Sequence, residues 1–380
     1  MSAASTKAFA PVPVVPVEQH VGAVARGGAG DRSLLGGLQW EAHPANDPHP
    51  HAHCPLGESI SAMATHRQQH TADWIRYFAD RGHGDVRPLA AGVEGAVYLL
   101  GGGRIAKVWS GRRPVGLGLM RQVYDDIARH AASLPFATPE ILAVEEHEGV
   151  PVTYERELSG TPLRADSAVV APGRELPARE TDALLTVLRA LAAVPGTEAM
   201  RRLAVQGDDR PLWEGHTRFP DALAALVLRA VRRHGDQLAA QVPDFETIVR
   251  RTTESLRALP DDGRVSVVHG DLVPPNIHVD DTGAPTAVLD FGFFTTAGDP
   301  AFEAAVTAAV WDMYGPYAER HTVTLTRLFA EELGHSPDTL ALYQRAYALA
   351  TYDLFSADGG DGHFRWCAGL LRRGAVTPPR

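Results

Sequence analysis

The sequence predicts an α+β protein of two lobes, a small β-rich N-lobe followed by a larger α-helical C-lobe. Two patterns support this prediction. Short β-branched and aromatic runs separated by glycine turns fill the N-terminal part, whereas segments of helical period and length dominate after Gly160. We therefore expect a disordered tail over 1–68, an N-lobe over 69–157 and a C-lobe over 158–380.

The composition is that of an ordinary soluble domain, with 44% hydrophobic and 22% charged residues. A net charge of -10 argues against a nucleic-acid partner, because phosphate backbones are bound by concentrated basic residues. The only cysteines, Cys54 and Cys367, form no disulfide framework, which favours a cytoplasmic location. No continuous apolar run reaches the length of about 18 residues that a membrane span requires. The oligomeric state is not indicated.

The first 68 residues are rich in Pro, Gly, Ala and His and show little periodicity. The stretch from His43 to Cys54 contains several potential metal ligands, but a proline-rich flexible chain provides no fixed geometry for a metal. We expect a disordered tail, and we expect a chain that begins at Met63 to fold and remain active.

The predicted N-lobe combines a short helix around Trp74–Phe78 with two strand pairs and a second helix. The first pair is Val93–Leu100 and Arg104–Trp109, the helix is Met120–His130, and the second pair is Ile141–Val144 and Val150–Glu155. Gly101–Gly103 form the turn of the first pair.

The predicted C-lobe is helical with one β interruption. The helices are expected at about 179–193, 221–240, 244–258, 301–314, 321–334 and 337–356. The strands are expected at Val265–Val268, Ile277–Val279 and Thr286–Leu289, and Asp280–Gly283 turn the last two into a hairpin.

Chemistry is concentrated around this hairpin. His269-Gly270-Asp271 follows a buried strand, and the hairpin separates Asn276 from Asp290, so it can bring their side chains together. An amide oxygen and a carboxylate suit Mg²⁺ bound with nucleotide phosphates. Asp271 is then available to accept a proton from an attacking hydroxyl group.

A second element lies upstream. Gly92 and Gly95 are near the bend of a predicted hairpin, where glycine lets the backbone approach phosphate groups. The adjacent strand contains Lys107, one of only two lysines in a chain whose other positive side chains are arginines. A compact ammonium there can contact phosphate oxygens that a planar guanidinium does not fit.

His269-Gly-Asp271-x-x-x-x-Asn276 followed by Asp290-Phe-Gly292 resembles the catalytic signature of the aminoglycoside phosphotransferase family over about residues 84–356. That family shares its fold with protein kinases. The resemblance implies an ATP- and Mg²⁺-dependent O-phosphotransferase with a protein-kinase-like fold. Asp271 is then the catalytic base, Asn276 and Asp290 are the metal ligands, and Lys107 contacts the nucleotide phosphates.

The resemblance also implies that the segment Glu155–Gly160, including Glu157, is the hinge whose backbone meets adenine. His269 could act as a general base, since the ordinary pKa of histidine is near neutrality, but the resemblance favours a structural role. Gly298-Asp299-Pro300 matches the family segment that follows the metal-binding aspartate.

The sequence departs from this family on the helix after the lysine strand, which lacks the glutamate that pairs with the lysine. Either Gln122, Asp125 or Asp126 replaces it, or the pair is absent. The alternative function is a catalytically weak pseudokinase that binds nucleotide as a regulator.

The acceptor is expected to be a hydroxylated small molecule such as an antibiotic, a sugar or an amino alcohol, because no Ala-Pro-Glu activation segment is present. The preference for ATP or GTP is open. Candidate acceptor residues are Trp213, Glu214, Asp312, Tyr314, Asp353 and Asp361.

Overall fold

The computed structural model describes residues 70–92, 95–110, 114–164, 175–260, 263–355 and 358–375. The predicted tail over 1–68, its His-rich stretch and Met63 lie outside the described residues.

The N-lobe is built on a five-stranded antiparallel sheet of order β1-β2-β3-β5-β4. Its strands are β1 (Arg87–Gly92), β2 (Gly95–Gly101), β3 (Arg104–Trp109), β4 (Ile141–His147) and β5 (Val150–Arg156). Helix α1, over residues 70–80, covers one face of the sheet. Trp74 and Phe78 of this helix pack with Tyr98 and Val152. They bury the strand side chains that point to this face of the sheet. The other face of the sheet is directed at the C-lobe.

Helix α2 (Pro114–Ala128) packs against β4 of this sheet. It begins six residues before the predicted start at Met120, because Pro114 is well tolerated in the first turn of a helix. Its buried side chains include Met120, Val123 and Tyr124. Strand β1 was not predicted, since its sequence RPLAAG has neither β-branched residues nor clear alternation.

The C-lobe is helical. Its helices are α3 (Ala178–Ala193), α4 (Glu198–Arg201), α5 (Phe219–Ala239), α6 (Phe245–Ala258), α7 (Pro300–Val310), α8 (Ala318–Leu333), α9 (Pro337–Thr351) and α10 (Gly362–Ala375). Its strands are β6 (Thr161–Pro162), β7 (Ser266–Val268), β8 (Ile277–Val279), β9 (Pro285–Val288) and β10 (Thr296–Gly298). β10 pairs with β7, and β8 pairs with both β6 and β9.

Helix α7 lies at the centre of this lobe, and every residue from Ala301 to Val310 is buried. It packs against α9 and α8, and aromatic side chains such as Phe302 and Tyr343 meet edge to face there. The helix ends earlier than predicted, at Val310, because Asp312 and Gly315 close a turn. Helix α10 was not predicted. The Asp361 side chain caps its first turn by accepting the Phe364 N–H. Four glycines between 359 and 369 hide the helical period in the sequence.

Within the described residues, no helix has the length and apolar character needed to cross a membrane.

Candidate functional site

The loop after β7 is fixed by His269. The His269 ring is buried; its Nε2 lies 2.7 Å from the Leu289 carbonyl oxygen, and its Nδ1 accepts the Asp271 N–H at 3.2 Å. Nε2 therefore carries the proton and donates to Leu289. Burial lowers the pKa of His269 to about 4, so the ring is neutral near pH 7. These bonds fit a structural histidine and leave Asp271 as the candidate base.

Gly270 lets this loop pass close to the protein core. Its φ is +77°, and a Cβ at this position would lie 2.5 Å from the Cβ of Phe294. Its N–H donates to the Glu303 carboxylate at 2.9 Å, and Thr307 donates to the other oxygen of that carboxylate at 3.3 Å. Burial raises the pKa of Glu303 to about 7. Sequence reasoning missed Glu303, although an acidic residue in the otherwise apolar segment PAFEAAVTAAV was a signal.

The β8–β9 hairpin brings Asn276 and Asp290 together as predicted. Ile277 pairs with Val288, and in the next position the Leu289 N–H donates to the Asn276 carbonyl at 2.9 Å. Leu289 therefore bonds to Asn276 through its N–H and to His269 through its carbonyl. Asp290 follows directly, in a left-handed conformation with φ +58° that is uncommon outside glycine. The register thus fixes Asp290 beside the loop that carries His269 and Asp271.

These residues fit a cation shared with phosphate groups. Asn276 donates through Nδ2 to the Asp271 carbonyl at 2.9 Å, which leaves its Oδ1 as an oxygen ligand. The Asp290 side chain is 60% exposed and offers a carboxylate. Among the residues that the structure describes, no group of three or more His, Cys, Asp or Glu is placed to hold a metal. An amide oxygen and a carboxylate are the kinds of ligand that Mg²⁺ takes when phosphate groups supply the others.

Lys107 connects the two lobes. Its Nζ is 3.1 Å from Asp290 Oδ1 in the C-lobe and 3.7 Å from Glu155 Oε2 in the N-lobe sheet. Burial alone would lower the pKa of Lys107, but the carboxylates of Glu155 and Asp290 outweigh it and raise the pKa above the ordinary lysine value. The ammonium is therefore charged and points at the candidate metal ligand.

None of the three α2 residues considered as partners for Lys107 takes that position. Gln122 and Asp125 are exposed, and Asp126 pairs with Arg129. The acidic partner comes from β5 instead. Sequence reasoning looked for it on the helix because the resemblance places it there.

Gly92 and Gly95 lie at a hairpin bend, as expected, but the hairpin is formed by β2 with the unpredicted strand β1. Gly92 of β1 pairs directly with Gly95 of β2, and residues 93 and 94 between them lie outside the described part of the chain. Gly95 has φ +145°, and a Cβ there would be 1.8 Å from the Val108 carbonyl oxygen. Only glycine allows this approach of β2 to β3.

Residues of the predicted hinge lie at the end of β5. Glu155 is a strand residue opposite Ile105 of β3, and the Glu157 N–H donates to the Gly103 carbonyl at 2.9 Å. The contribution of both residues to adenine binding stays a prediction.

The candidate acceptor residues divide into two groups. Four of them bond to other protein groups. Trp213 donates to the Ala297 carbonyl, Asp312 bonds to His321, Asp353 accepts from Arg233, and Glu214 pairs with Arg210.

Tyr314 and Asp361 form the second group. The Tyr314 ring lies beside Gly362, which follows Asp361 in the chain. Burial raises the pKa of the Tyr314 hydroxyl, and the charges of acidic groups that include Asp361 and Asp271 act in the same direction. Asp361 caps α10 through one oxygen, and its other oxygen has no hydrogen-bond partner within the described residues.

Comparison with known proteins gives a consistent result. The model of the phosphotransferase enzyme family matches residues 85–346. A search of curated protein sequences found no match.

Three solved structures are similar in fold. The GDP complex of wild-type aminoglycoside 2'-phosphotransferase-IIIa is 16% identical with a TM-score of 0.52, over 80% of this chain and 97% of that chain. The GDP and kanamycin complex of APH(2")-IIIa is 17% identical with a TM-score of 0.53, over 82% and 99%. Macrolide 2'-phosphotransferase type I is 19% identical with a TM-score of 0.50, over 82% and 97%.

Proposed function

The chain belongs to the phosphotransferase enzyme family, and we propose that it transfers the γ-phosphoryl group of ATP, with Mg²⁺, to a hydroxyl group of a small molecule. The observation that carries this proposal is the contact across the two lobes, where Lys107 Nζ lies 3.1 Å from Asp290 Oδ1. A cation facing a carboxylate beside an amide oxygen is the arrangement needed to hold a metal–nucleotide polyphosphate.

Each residue then has a defined function. Lys107 contacts the α- and β-phosphates, Gly92 and Gly95 let the hairpin backbone approach them, and Asn276 and Asp290 would hold Mg²⁺. When bound, Mg²⁺ supplies positive charge that offsets the charge of the phosphate oxygens.

Asp271 is the proposed base. The acceptor oxygen attacks the γ-phosphorus, the bond to the β–γ bridging oxygen breaks, ADP leaves, and the hydroxyl proton goes to the Asp271 carboxylate. His269 does not take this role, because both of its ring nitrogens are engaged with Leu289 and Asp271. Its bond to the Asp271 N–H instead keeps the base in place.

The acceptor is an antibiotic, a sugar or an amino alcohol. Two structurally similar proteins are named for aminoglycoside and macrolide substrates, which puts antibiotics first on the list to be tested. Tyr314 and Asp361 are the proposed acceptor contacts, since the Tyr314 ring is partly exposed beside Gly362 and one Asp361 oxygen has no hydrogen-bond partner within the described residues. A carboxylate at this position favours acceptors that carry an amine. An ATP-consuming enzyme of this kind is expected to work in the cytoplasm.

The pseudokinase alternative loses its main argument. It rested on the missing helix glutamate, and Glu155 supplies a carboxylate to Lys107 from β5. Asp271, Asn276 and Asp290 are all retained around the loop.

The test is transfer of labelled γ-phosphate from ATP or GTP to a pooled panel of aminoglycosides, macrolides, sugars and amino alcohols. We expect a labelled product that requires Mg²⁺ and an acceptor. Nucleotide binding without any phosphorylated product would favour the regulator instead.

A further inference from the structure

Four side chains lie together on the face of the N-lobe sheet that is directed at the C-lobe. Lys107 and Trp109 are alternate residues of β3, and Thr153 and Glu155 are alternate residues of β5. Lys107 pairs directly with Thr153 in the register of the two strands. Because alternate strand residues share one face, all four side chains point the same way.

Hydrogen bonds connect these side chains in one direction. Trp109 Nε1 donates to Thr153 Oγ1 at 3.0 Å, and the Thr153 hydroxyl donates to Glu155 Oε1 at 2.8 Å. The second oxygen, Glu155 Oε2, is 3.7 Å from Lys107 Nζ. The Glu155 side chain is 3% exposed, so water does not stabilise its charge. One hydrogen-bond donor and one cation do so instead.

Asp290, the other carboxylate at Lys107, is placed differently. It is 60% exposed and belongs to the C-lobe. Under the proposed function it binds Mg²⁺ when nucleotide is present, and its contact with Lys107 then competes with the metal. Glu155 is the carboxylate that stays beside Lys107 throughout.

Helix α2 buries Tyr124, whose ring packs edge to face on the Phe291 ring, with 5.8 Å between the ring centroids. A neutral phenol does not balance a buried ammonium.

We propose that Glu155, held by Thr153 and Trp109, is the positioning residue for Lys107, and that strand β5 supplies the carboxylate that related enzymes supply from the helix. The inference rests on the proposed contact of Lys107 with nucleotide phosphates. It has a mechanical consequence. Since β3 and β5 are adjacent strands of one sheet, the orientation of Lys107 does not depend on the position of α2.

The test compares Glu155→Gln and Thr153→Val with the wild-type full-length protein. Glu145→Gln is the matched control, because Glu145 is an exposed glutamate of the same sheet that bonds to Tyr154. We expect Glu155→Gln to lower kcat at least about tenfold and to leave the acceptor KM within about twofold, as loss of a transition-state interaction requires. Thr153→Val should lower kcat about threefold, because the carboxylate loses its hydrogen bond but keeps its charge.

A second readout does not depend on turnover. The chain has two lysines, so an amine-reactive acetylating reagent and peptide mass spectrometry can follow Lys107 with Lys7 as internal reference. Without the Glu155 contact at 3.7 Å, the Lys107 amine is held less firmly in the cleft and should react at least about fivefold faster relative to Lys7. Glu145→Gln should leave this ratio unchanged.

The outcomes separate the two proposals. A wild-type protein that phosphorylates nothing contradicts the proposed function, while the labelling ratio still tests the Lys107–Glu155 pair. An active wild type, with Glu155→Gln equal to it in kcat and in labelling, overturns the positioning role alone. If Glu155→Gln does not fold, Thr153→Val decides: unchanged kcat and labelling in that variant overturn the inference.

Discussion

Replacing Glu303 by glutamine removes a buried carboxyl group beneath the loop that carries His269 and Asp271. Glu303 is 2% exposed and accepts the Gly270 N–H. Burial raises its pKa from the ordinary 4.5 to about 7, so the folded protein keeps a proton that the unfolded chain releases between these values. The folded state therefore binds more protons in this window, and the contribution of Glu303 to stability falls as pH rises through it.

The magnitude follows from the two pKa values of Glu303. At about 1.4 kcal/mol for each pH unit, ionising this group costs the folded protein about 3 kcal/mol between pH 4.5 and pH 8. Glutamine does not titrate and keeps an oxygen that accepts the Gly270 N–H. The free energy of unfolding of Glu303→Gln, minus that of the wild type, should therefore grow by about 3 kcal/mol over this range.

His269→Gln is the matched opposite case. Burial lowers the pKa of His269 from 6.5 to about 4, so its contribution to stability is complete above pH 6.5 and is lost as pH falls towards 4. The free energy of unfolding of His269→Gln, minus that of the wild type, should therefore fall by about 3 kcal/mol as pH rises from 4 to 6.5.

Urea unfolding at half-unit pH intervals from 4 to 8 measures both differences. The claim is that the pKa values of Glu303 and His269 are shifted in opposite directions. It would be refuted if the free-energy difference for Glu303→Gln did not change with pH, or changed in the same direction as that for His269→Gln.

Two further predictions concern the N-lobe. Lys107→Arg should lower phosphotransfer at least about tenfold with little change in melting temperature, because a planar guanidinium does not reproduce a point contact with phosphate. The control Arg104→Lys, at an exposed position of the same strand, should change neither phosphotransfer nor melting temperature. Gly95→Ala should weaken nucleotide binding and destabilise the fold by about 1–3 kcal/mol in thermal and urea unfolding, because its Cβ would clash with the Val108 carbonyl. Gly102→Ala also has a positive φ but meets nothing within 4 Å, so an equal loss in both glycine variants would show that backbone conformation and not the clash is responsible.

The sequence was sufficient where function depends on local spacing. The separation of Asn276 and Asp290 by a turn-forming segment predicted their approach, and the hairpin register confirms it. Gly92 and Gly95 were expected near a bend, and they are the paired ends of β1 and β2, although β1 itself was not predicted. Such contacts form within one hairpin, so turn chemistry and strand alternation are enough to predict them.

It was not sufficient where function depends on packing between distant segments. Glu155 is 48 residues from Lys107, and only the register of β3 with β5 places the two on one face. Glu303 contacts Gly270 because α7 packs beneath β7, an arrangement that no periodicity in either segment encodes. Glu303 was visible as a single acidic residue in an apolar run, but its partner was not.

The central claim is that Asp271 takes the proton of an acceptor hydroxyl during phosphoryl transfer. It is tested most directly by comparing Asp271→Asn with the wild type in transfer of labelled γ-phosphate to the acceptor found by the panel, with nucleotide affinity measured alongside. The control is Asp281→Asn, at an exposed aspartate in the β8–β9 turn. The account predicts that Asp271→Asn lowers turnover by about 10²–10⁴-fold while the nucleotide Kd stays within about twofold and the control matches the wild type. Wild-type turnover in Asp271→Asn would contradict it.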